Sequence, residues 1–250
     1  MRKKADLLRE LVKGAKRESY PDGRTGLLIE QYDRDAENFR DLIESKPKEA
    51  LIQVFLEKHP VLLLHAMLDG FYPAASTRCA LYSKVDLGTE YEIDFAFCSA
   101  NSMGLWWSFV EIERSDVPLF NKAGDPTKQL THAMRQITDW DSWLMDNSVY
   151  ASIELAKIAE DSLRYFGWFT GDYARDGALR RPCNYFIVIG RRATLSTSDN
   201  RRRRAICTQN RGLQIVTYDR LFDDYNVDKK EKLSGNKDEI RNVREILRKR

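Results

Sequence analysis

Tyr91-Glu92-Ile93-Asp94-Phe95-Ala96-Phe97, then Leu105-Trp106-Trp107-Ser108-Phe109-Val110-Glu111-Ile112-Glu113, decide how this chain is read. Both stretches are rich in β-branched and aromatic residues and read as strands. The Asn, Ser and Gly between Cys98 and Gly104 read as the turn of a hairpin. Residues two apart on a strand share a face, so Glu111 and Glu113 point the same way. A turn centred near Ser102 and Met103 sets Asp94 opposite Glu111. Opposed Cβ atoms stand roughly 4.5–5.5 Å apart, where like charges repel. Three carboxylates on one patch call for a cation, and an all-oxygen set suits Mg²⁺ or Mn²⁺. The apolar flanks (Trp106, Trp107, Phe109, Val110, Ile112) mark an interior strand, so these acids are not on an ordinary wet face.

The 250 residues suffice for one large domain, and 42% hydrophobic content can build its core. No stretch approaches the ~20 apolar residues of a membrane span, and Met1 to Asp6 lacks the apolar run of a secretion signal. Cys79, Cys98, Cys183 and Cys207 are far apart and without Cys-x-x-Cys spacing. They read as free thiols of a cytoplasmic protein. Net charge is +3, but ten arginines against two acids between Arg175 and Arg211 give +8 locally and leave −5 elsewhere. An acidic centre beside an arginine-rich segment suits an enzyme that sets a metal against a polyanion. Arg191, Arg192, Arg201, Arg202, Arg203 and Arg204 are the candidate phosphate contacts. The plainer reading of the last four is a solvated loop after Ser196 to Asn200.

Outward from the hairpin, residues 1–45 read as a helical N-terminal appendage, with helices over Ala5 to Lys16 and Leu28 to Ser45. A helix opening at Pro47, with Ser45 as N-cap, ends before Pro60 and puts Glu49 and Gln53 on one face. Thr77 to Val85 is a strand turning at Leu87-Gly88 into the acidic hairpin. Arg114 to Asp125 is a loop. Asp125-Pro126 opens a helix to about Met145, with Gln129, Ala133, Gln136 and Trp140 on one face. A further helix covers Tyr150 to Phe166, and apolar strands cover Tyr185 to Ile189 and Leu213 to Tyr218. Residues 227–250 form a charged tail in which Glu239 to Arg250 has a helical apolar stripe. The order implies an α/β domain over residues 46–226, a mixed sheet flanked by helices. His59, His65 and His132 read as packed or surface residues, and the aromatic stretch Tyr165 to Tyr173 as packing.

Several pieces together resemble the PD-(D/E)XK nuclease superfamily, and within it the Shedu family of bacterial anti-phage defence proteins. They are Glu49-x-x-x-Gln53-x-Phe55-Leu56-Glu57-x-x-Pro60, Ile93-Asp94-Phe95, Val110-Glu111-Ile112-Glu113-Arg114, Gln129 with Gln136, Ile187-Val188-Ile189-Gly190-Arg191, and Val216 to Leu221. The resemblance implies a restriction-endonuclease-like core and a Mg²⁺- or Mn²⁺-dependent DNA endonuclease, acting in the cytoplasm as a homo-oligomer. Carried over by position, it implies Asp94 and Glu111 as metal ligands, with the Ile112 carbonyl and Glu49 as further ligands. The resemblance also implies that Gln129 and Gln136 lie on the helix that follows the catalytic strand in such nucleases, where a glutamine orients catalytic groups or touches the scissile strand. Glu113 occupies the slot of the family's lysine. It implies either a general base or second-metal ligand there, or a degenerate nuclease fold that binds DNA without cutting. Lys122, Lys128 and Arg114 are candidates for the displaced cation. A DNA-repair nuclease on the same core is a third reading.

Overall fold

The computed structural model describes residues 23–60, 62–63, 66, 79–101, 104–163 and 183–223. The stripe at 239–250, the first helix at 5–16, His65 and the aromatic stretch 165–173 lie outside the described residues. The elements are α1 (Gly23–Glu44), α2 (Glu49–Lys58), β1 (Cys79–Leu87), β2 (Tyr91–Asn101), β3 (Gly104–Ile112), α3 (Lys128–Asp146), α4 (Ser148–Leu163), β4 (Asn184–Val188), α5 (Thr197–Gln209), β5 (Leu213–Val216) and the single turn α6 (Arg220–Asp223).

The five strands form one sheet in the order β1-β2-β3-β4-β5. The first three are an antiparallel meander, and β4 and β5 run parallel to β3. The fold is therefore α/β with a mixed sheet flanked by helices, as read from the sequence. Parallel strands need crossovers, and here α3 with α4 and then α5 provide them. The C-terminal ends of β3, β4 and β5 consequently share one edge of the sheet, the edge at which open α/β sheets place their ligands.

Each face of the sheet buries its own core. On one face Trp107, Phe109, Ala133, Trp140, Leu155 and Ile187 pack together. On the other, Phe39, Ile43, Ile52, Leu56, Phe95, Val110, Ile112 and Tyr218 do so. Alternation along β3 explains the division, since Phe109 and Ile112 fall on opposite sides of the pleat. Small residues on β2 permit the aromatic packing of the first face. Ala96 and Cys98 lie opposite Phe109 and Trp107, and Tyr82 reaches across them to within 5.9 Å of the Trp107 ring.

Three boundaries differ from the sequence reading. The acidic hairpin is tighter than expected, because Asn101 pairs with Gly104 and its strands run through Cys98. Ser45 does not cap α2; its hydroxyl donates back to Leu42 O at 2.6 Å and closes α1, and Lys48 precedes α2 with no side-chain cap. Asp125 does not cap α3 either. Its backbone closes a loop with Asn121, and Thr127 takes the N-cap, accepting from Leu130 N.

Candidate functional site

The ladder between β2 and β3 runs down to Phe95 opposite Val110, so the next step sets Asp94 against Glu111 as the hairpin arithmetic expects. At that step the ladder opens. Ile112 N–H donates to Asp94 Oδ2 at 3.0 Å instead of to a neighbouring carbonyl. Asp94 therefore lies at the sheet end with its carboxylate tied into the gap between strands. The side chain of Ile112 is buried and its N–H is spent on Asp94, which leaves its carbonyl as the only group able to serve as a ligand.

Four acids from three elements meet here. Glu111 and Glu113 are 7% and 8% exposed, Asp94 comes from β2, and Glu49 is the first residue of α2. Burial, then Asp94, Glu113 and Glu49, push the Glu111 carboxyl up to about 9. Burial, then Glu49 and Asp94, push Glu113 up to about 7. Glu49 is also raised, by burial and then by Asp94. Glu49 is itself exposed and Asp94 half-buried, so these mutual effects mark acids within electrostatic reach of one another at the rim of a buried pair, Glu111 and Glu113. Titratable groups shifted together by burial and one another mark functional sites.

Supporting groups fix this cluster from both faces of the sheet. From α3, the Gln136 amide hydrogen-bonds Glu111 and draws its pKa down against the acids, while Gln136 Oε1 is buried without a hydrogen-bond partner. This separates Gln136 from Gln129, which is half-buried earlier on α3; Gln136 is the glutamine that meets Glu111. From α2, Gln53 Nε2 donates to Glu57 at 3.0 Å and reaches Asp94 O at 3.5 Å. Below it, the buried Tyr218 hydroxyl donates to Glu113 O at 2.5 Å, and Glu113 N–H donates to Val188 O. Glu113 is thus pinned at its backbone while its carboxylate stays at the surface of the cluster.

The cation of the site was not among those nominated. Arg114 is engaged with Asp116 at 2.9 and 2.6 Å, and Lys122 and Lys128 are exposed. Lys84 instead places Nζ 2.6 Å from Asp94 Oδ1 and 3.4 Å from Glu92 Oε1. Its backbone explains how it gets there. Lys84 has φ +50°, a conformation that costs a side-chain-bearing residue about 1–2 kcal/mol. Tyr82, Val85 and Leu87 all enter one core, as do Ile93, Ala96 and Cys98. Both strands therefore slip out of two-residue alternation between those positions. Lys84 faces Asp94 across this break, and the break turns the pair toward the sheet end. Strain of this kind concentrates where function needs it. A lysine opposite Asp94 was readable from the Leu87-Gly88 turn; its left-handed backbone was not. His132, read as packed or surface, is largely exposed but stands 3.6 Å from Glu113.

The donor set is all oxygen and over-acidic, which fits a hard divalent ion by charge and chemistry. It is not a preassembled cage, since among the described residues no group of three His, Cys, Asp or Glu side chains is arranged to hold a metal ion. The nominated arginines divide. Arg191 is bound to Asp219 at 3.0 Å and Arg202 to Asp199 at 3.2 Å. Arg192, Arg201, Arg203 and Arg204 line a cleft beside β5. Among the described residues no helix is long and apolar enough to cross a membrane.

No curated protein matches the chain. The family described as Shedu protein SduA, C-terminal, matches residues 46–222 of the 250, a span that runs from just before α2 to α6 and contains every residue of the acidic cluster. On that match the chain belongs to the Shedu protein SduA family, and membership implies a part in anti-phage defence.

Proposed function

We propose that the protein is a Mg²⁺- or Mn²⁺-dependent DNA endonuclease of the PD-(D/E)XK type, acting in the cytoplasm as a homo-oligomer in defence against phage. The observation that carries this reading is the convergence of Asp94, Glu111, Glu113 and Glu49 at the C-terminal end of β3, where burial and then the neighbouring acids drive Glu111 up to about 9. Asp94 and Glu111, with the Ile112 carbonyl and Glu49, are the groups that would hold the ion. Once bound, it would supply Lewis-acid stabilisation of a phosphoryl oxygen and a more acidic water.

The remaining work falls to the chain's own side chains. Glu113 accepts the proton of the attacking water as the new P–O bond forms and the bond to the leaving oxygen breaks. Gln136 holds the Glu111 carboxylate in place. Lys84 brings to Asp94 the positive charge that lysine in the Glu113 slot brings elsewhere in the superfamily, and it faces the charge that develops on the phosphoryl oxygens. Lys84→Met is expected to slow cleavage by about 10²–10³-fold, the usual loss for one donor aimed at developing charge. Lys84→Arg restores part of the rate, and neither change weakens Mn²⁺ binding measured by calorimetry. Reduced Mn²⁺ affinity in Lys84→Met would assign Lys84 to building the metal site instead.

The decisive experiment incubates the purified wild-type protein with supercoiled and linear DNA in Mg²⁺, Mn²⁺ or EDTA, and in parallel scores phage plaques with and without the gene. Metal-dependent breaks that EDTA abolishes support the reading. DNA that is bound and never cut, at any metal or pH, sinks it. Two observations favour that second outcome, a degenerate fold that binds DNA: Lys84 already occupies Asp94 at 2.6 Å, and among the described residues the carboxylates are not preassembled around an ion.

A further inference from the structure

The helix α5 carries Arg201, Arg202, Arg203 and Arg204 and buries none of its residues. It is not a mobile loop, because Ser196 and Asp199 form a reciprocal capping box at its start. Helical geometry sends the four arginines in different directions. Arg202 turns toward the loop ahead of α3; a Cβ placed on Gly124 would sit 2.4 Å from Arg202 Nη2, so the guanidinium lies directly on that glycine. Arg201, Arg203 and Arg204 turn the other way.

Between α5 and β5 lies a cleft of about 1000 Å³. Arg192, Arg201, Arg203, Arg204 and Arg220 line it, together with threonine, Asn and Gln side chains, and among the described residues no carboxylate does. Arg203 is pressed below its ordinary pKa by burial and by the charges of Arg204, Arg192 and Arg220. Like charges crowded at a partly desolvated site are unfavourable until an anion enters. Arg220, which the sequence did not nominate, reaches the cleft from α6.

The position of the cleft identifies the anion. Arg192 follows the end of β4, and Thr217 and Arg220 follow the end of β5. Both strands run parallel to β3, so the arginines share the sheet edge on which Glu111 sits. Two strand spacings separate β5 from β3, about 10 Å. A span of that size takes in neighbouring phosphates of one strand of a duplex. We infer that the α5–β5 cleft is a phosphate-backbone clamp that grips a DNA strand a few nucleotides from the carboxylate cluster and does so without metal. The inference rests on the reading of DNA as substrate.

The test uses the full-length chain in EDTA, with a fluorescein-labelled duplex and anisotropy read over a KCl series. Arg201 and Arg204 are exposed, so Arg201→Ala/Arg204→Ala keeps the fold, which thermal unfolding verifies. Each lost phosphate contact reduces the slope of log K against log[salt] by about 0.9. The double variant is expected to lose about 1.8 from that slope and to bind at least about tenfold more weakly at low salt. Arg201→Lys/Arg204→Lys keeps the slope, and Arg202→Ala leaves it unchanged. An unaltered slope in the alanine pair overturns the clamp, as does an equal loss in Arg202→Ala. Full competition by millimolar ATP with the duplex slope untouched also overturns it, and makes the cleft a nucleotide site. Because the assay contains no metal, a protein that never cuts DNA still passes or fails it, so the clamp and the nuclease reading fall separately.

Discussion

Glu111→Gln is expected to give a protein that, at pH 8 in EDTA, melts higher than the wild type, gains nothing from Mn²⁺, and cleaves DNA at least about 10³-fold more slowly. The stability effect follows from proton linkage. Folding lifts the Glu111 carboxyl from 4.5 to about 9. Between those values the folded chain holds a proton that the unfolded chain has released, so wild-type stability is greatest below about pH 4.5 and falls as pH rises toward 9. Each unit of difference corresponds to about 1.4 kcal/mol, and at pH 8, about 3.5 units above 4.5, the cost is on the order of 5 kcal/mol. Glutamine cannot ionise and escapes that cost. With roughly 2–4 °C per kcal/mol for a domain of this size, the variant melts about 10–20 °C above the wild type at pH 8, and the gap closes near pH 5.

Mn²⁺ does for the wild type what glutamine does for the variant, by balancing the acids; metal binding releases the proton, so its stabilising effect on the wild type grows from pH 6 to pH 8. Asp94→Asn shares the loss of cleavage but not the rise in stability, because its amide forfeits the charge-assisted contact with Lys84 at 2.6 Å. Thermal unfolding at pH 5 and pH 8, with and without Mn²⁺, reads all of this. An equal or lower melting temperature for Glu111→Gln at pH 8 would show that Glu111 is not held protonated among acids, and cutting at the wild-type rate by Asp94→Asn would remove the proposed metal ligand.

Pattern made the centre of this molecule legible. Two-residue alternation and one turn were enough to set Asp94 opposite Glu111, because register in a hairpin follows from where the turn is centred. Helical spacing placed Gln136 and Trp140 on the face of α3 that meets the sheet. The same arithmetic applied to the Leu87-Gly88 turn pairs Lys84 with Asp94, but a lysine in a strand reads as a solvated residue. Only a backbone at φ +50°, which no local residue preference signals, turns it into the site. Gln53 and Tyr218 stand in the resembling pieces, but their roles are not legible there for another reason: each reaches a backbone carbonyl, at Asp94 and at Glu113, and a carbonyl carries no side-chain signal.

Capping motifs were the least faithful guide, since their side chains have competing backbone partners nearby. Asp125-Pro126 has the composition of a helix start, yet the Asn121 side chain claims Asp125 N–H and Thr127 caps in its place. Ser196-Thr197-Ser198-Asp199 was passed over as loop and is a complete capping box. That omission mattered, because a capped helix gives the four arginines fixed and different directions whereas a loop would have left them equivalent.

Glu113→Gln should lower single-turnover cleavage by about 10²–10⁴-fold, the range for a positioned general base, and should flatten the pH dependence of what activity remains. Burial, Glu49 and Asp94 hold this carboxyl up to about 7, close to the working pH at which a base is most effective. Below pH 6 it is protonated and cannot take the water's proton; above pH 8 it is ionised and can. Saturating Mn²⁺ offsets the charges of Glu49 and Asp94, so the wild-type rate then climbs through a midpoint below about 7 and levels above it. The amide is isosteric and leaves the backbone contacts of Glu113 with Tyr218 and Val188 untouched, so the fold is preserved and only proton transfer is removed. His132 lies 3.6 Å from Glu113 and is a second side chain at the cluster able to accept a proton. A Glu113→Gln protein that keeps the rising limb while His132→Ala loses it would move the base to His132 and leave Glu113 as a metal ligand alone.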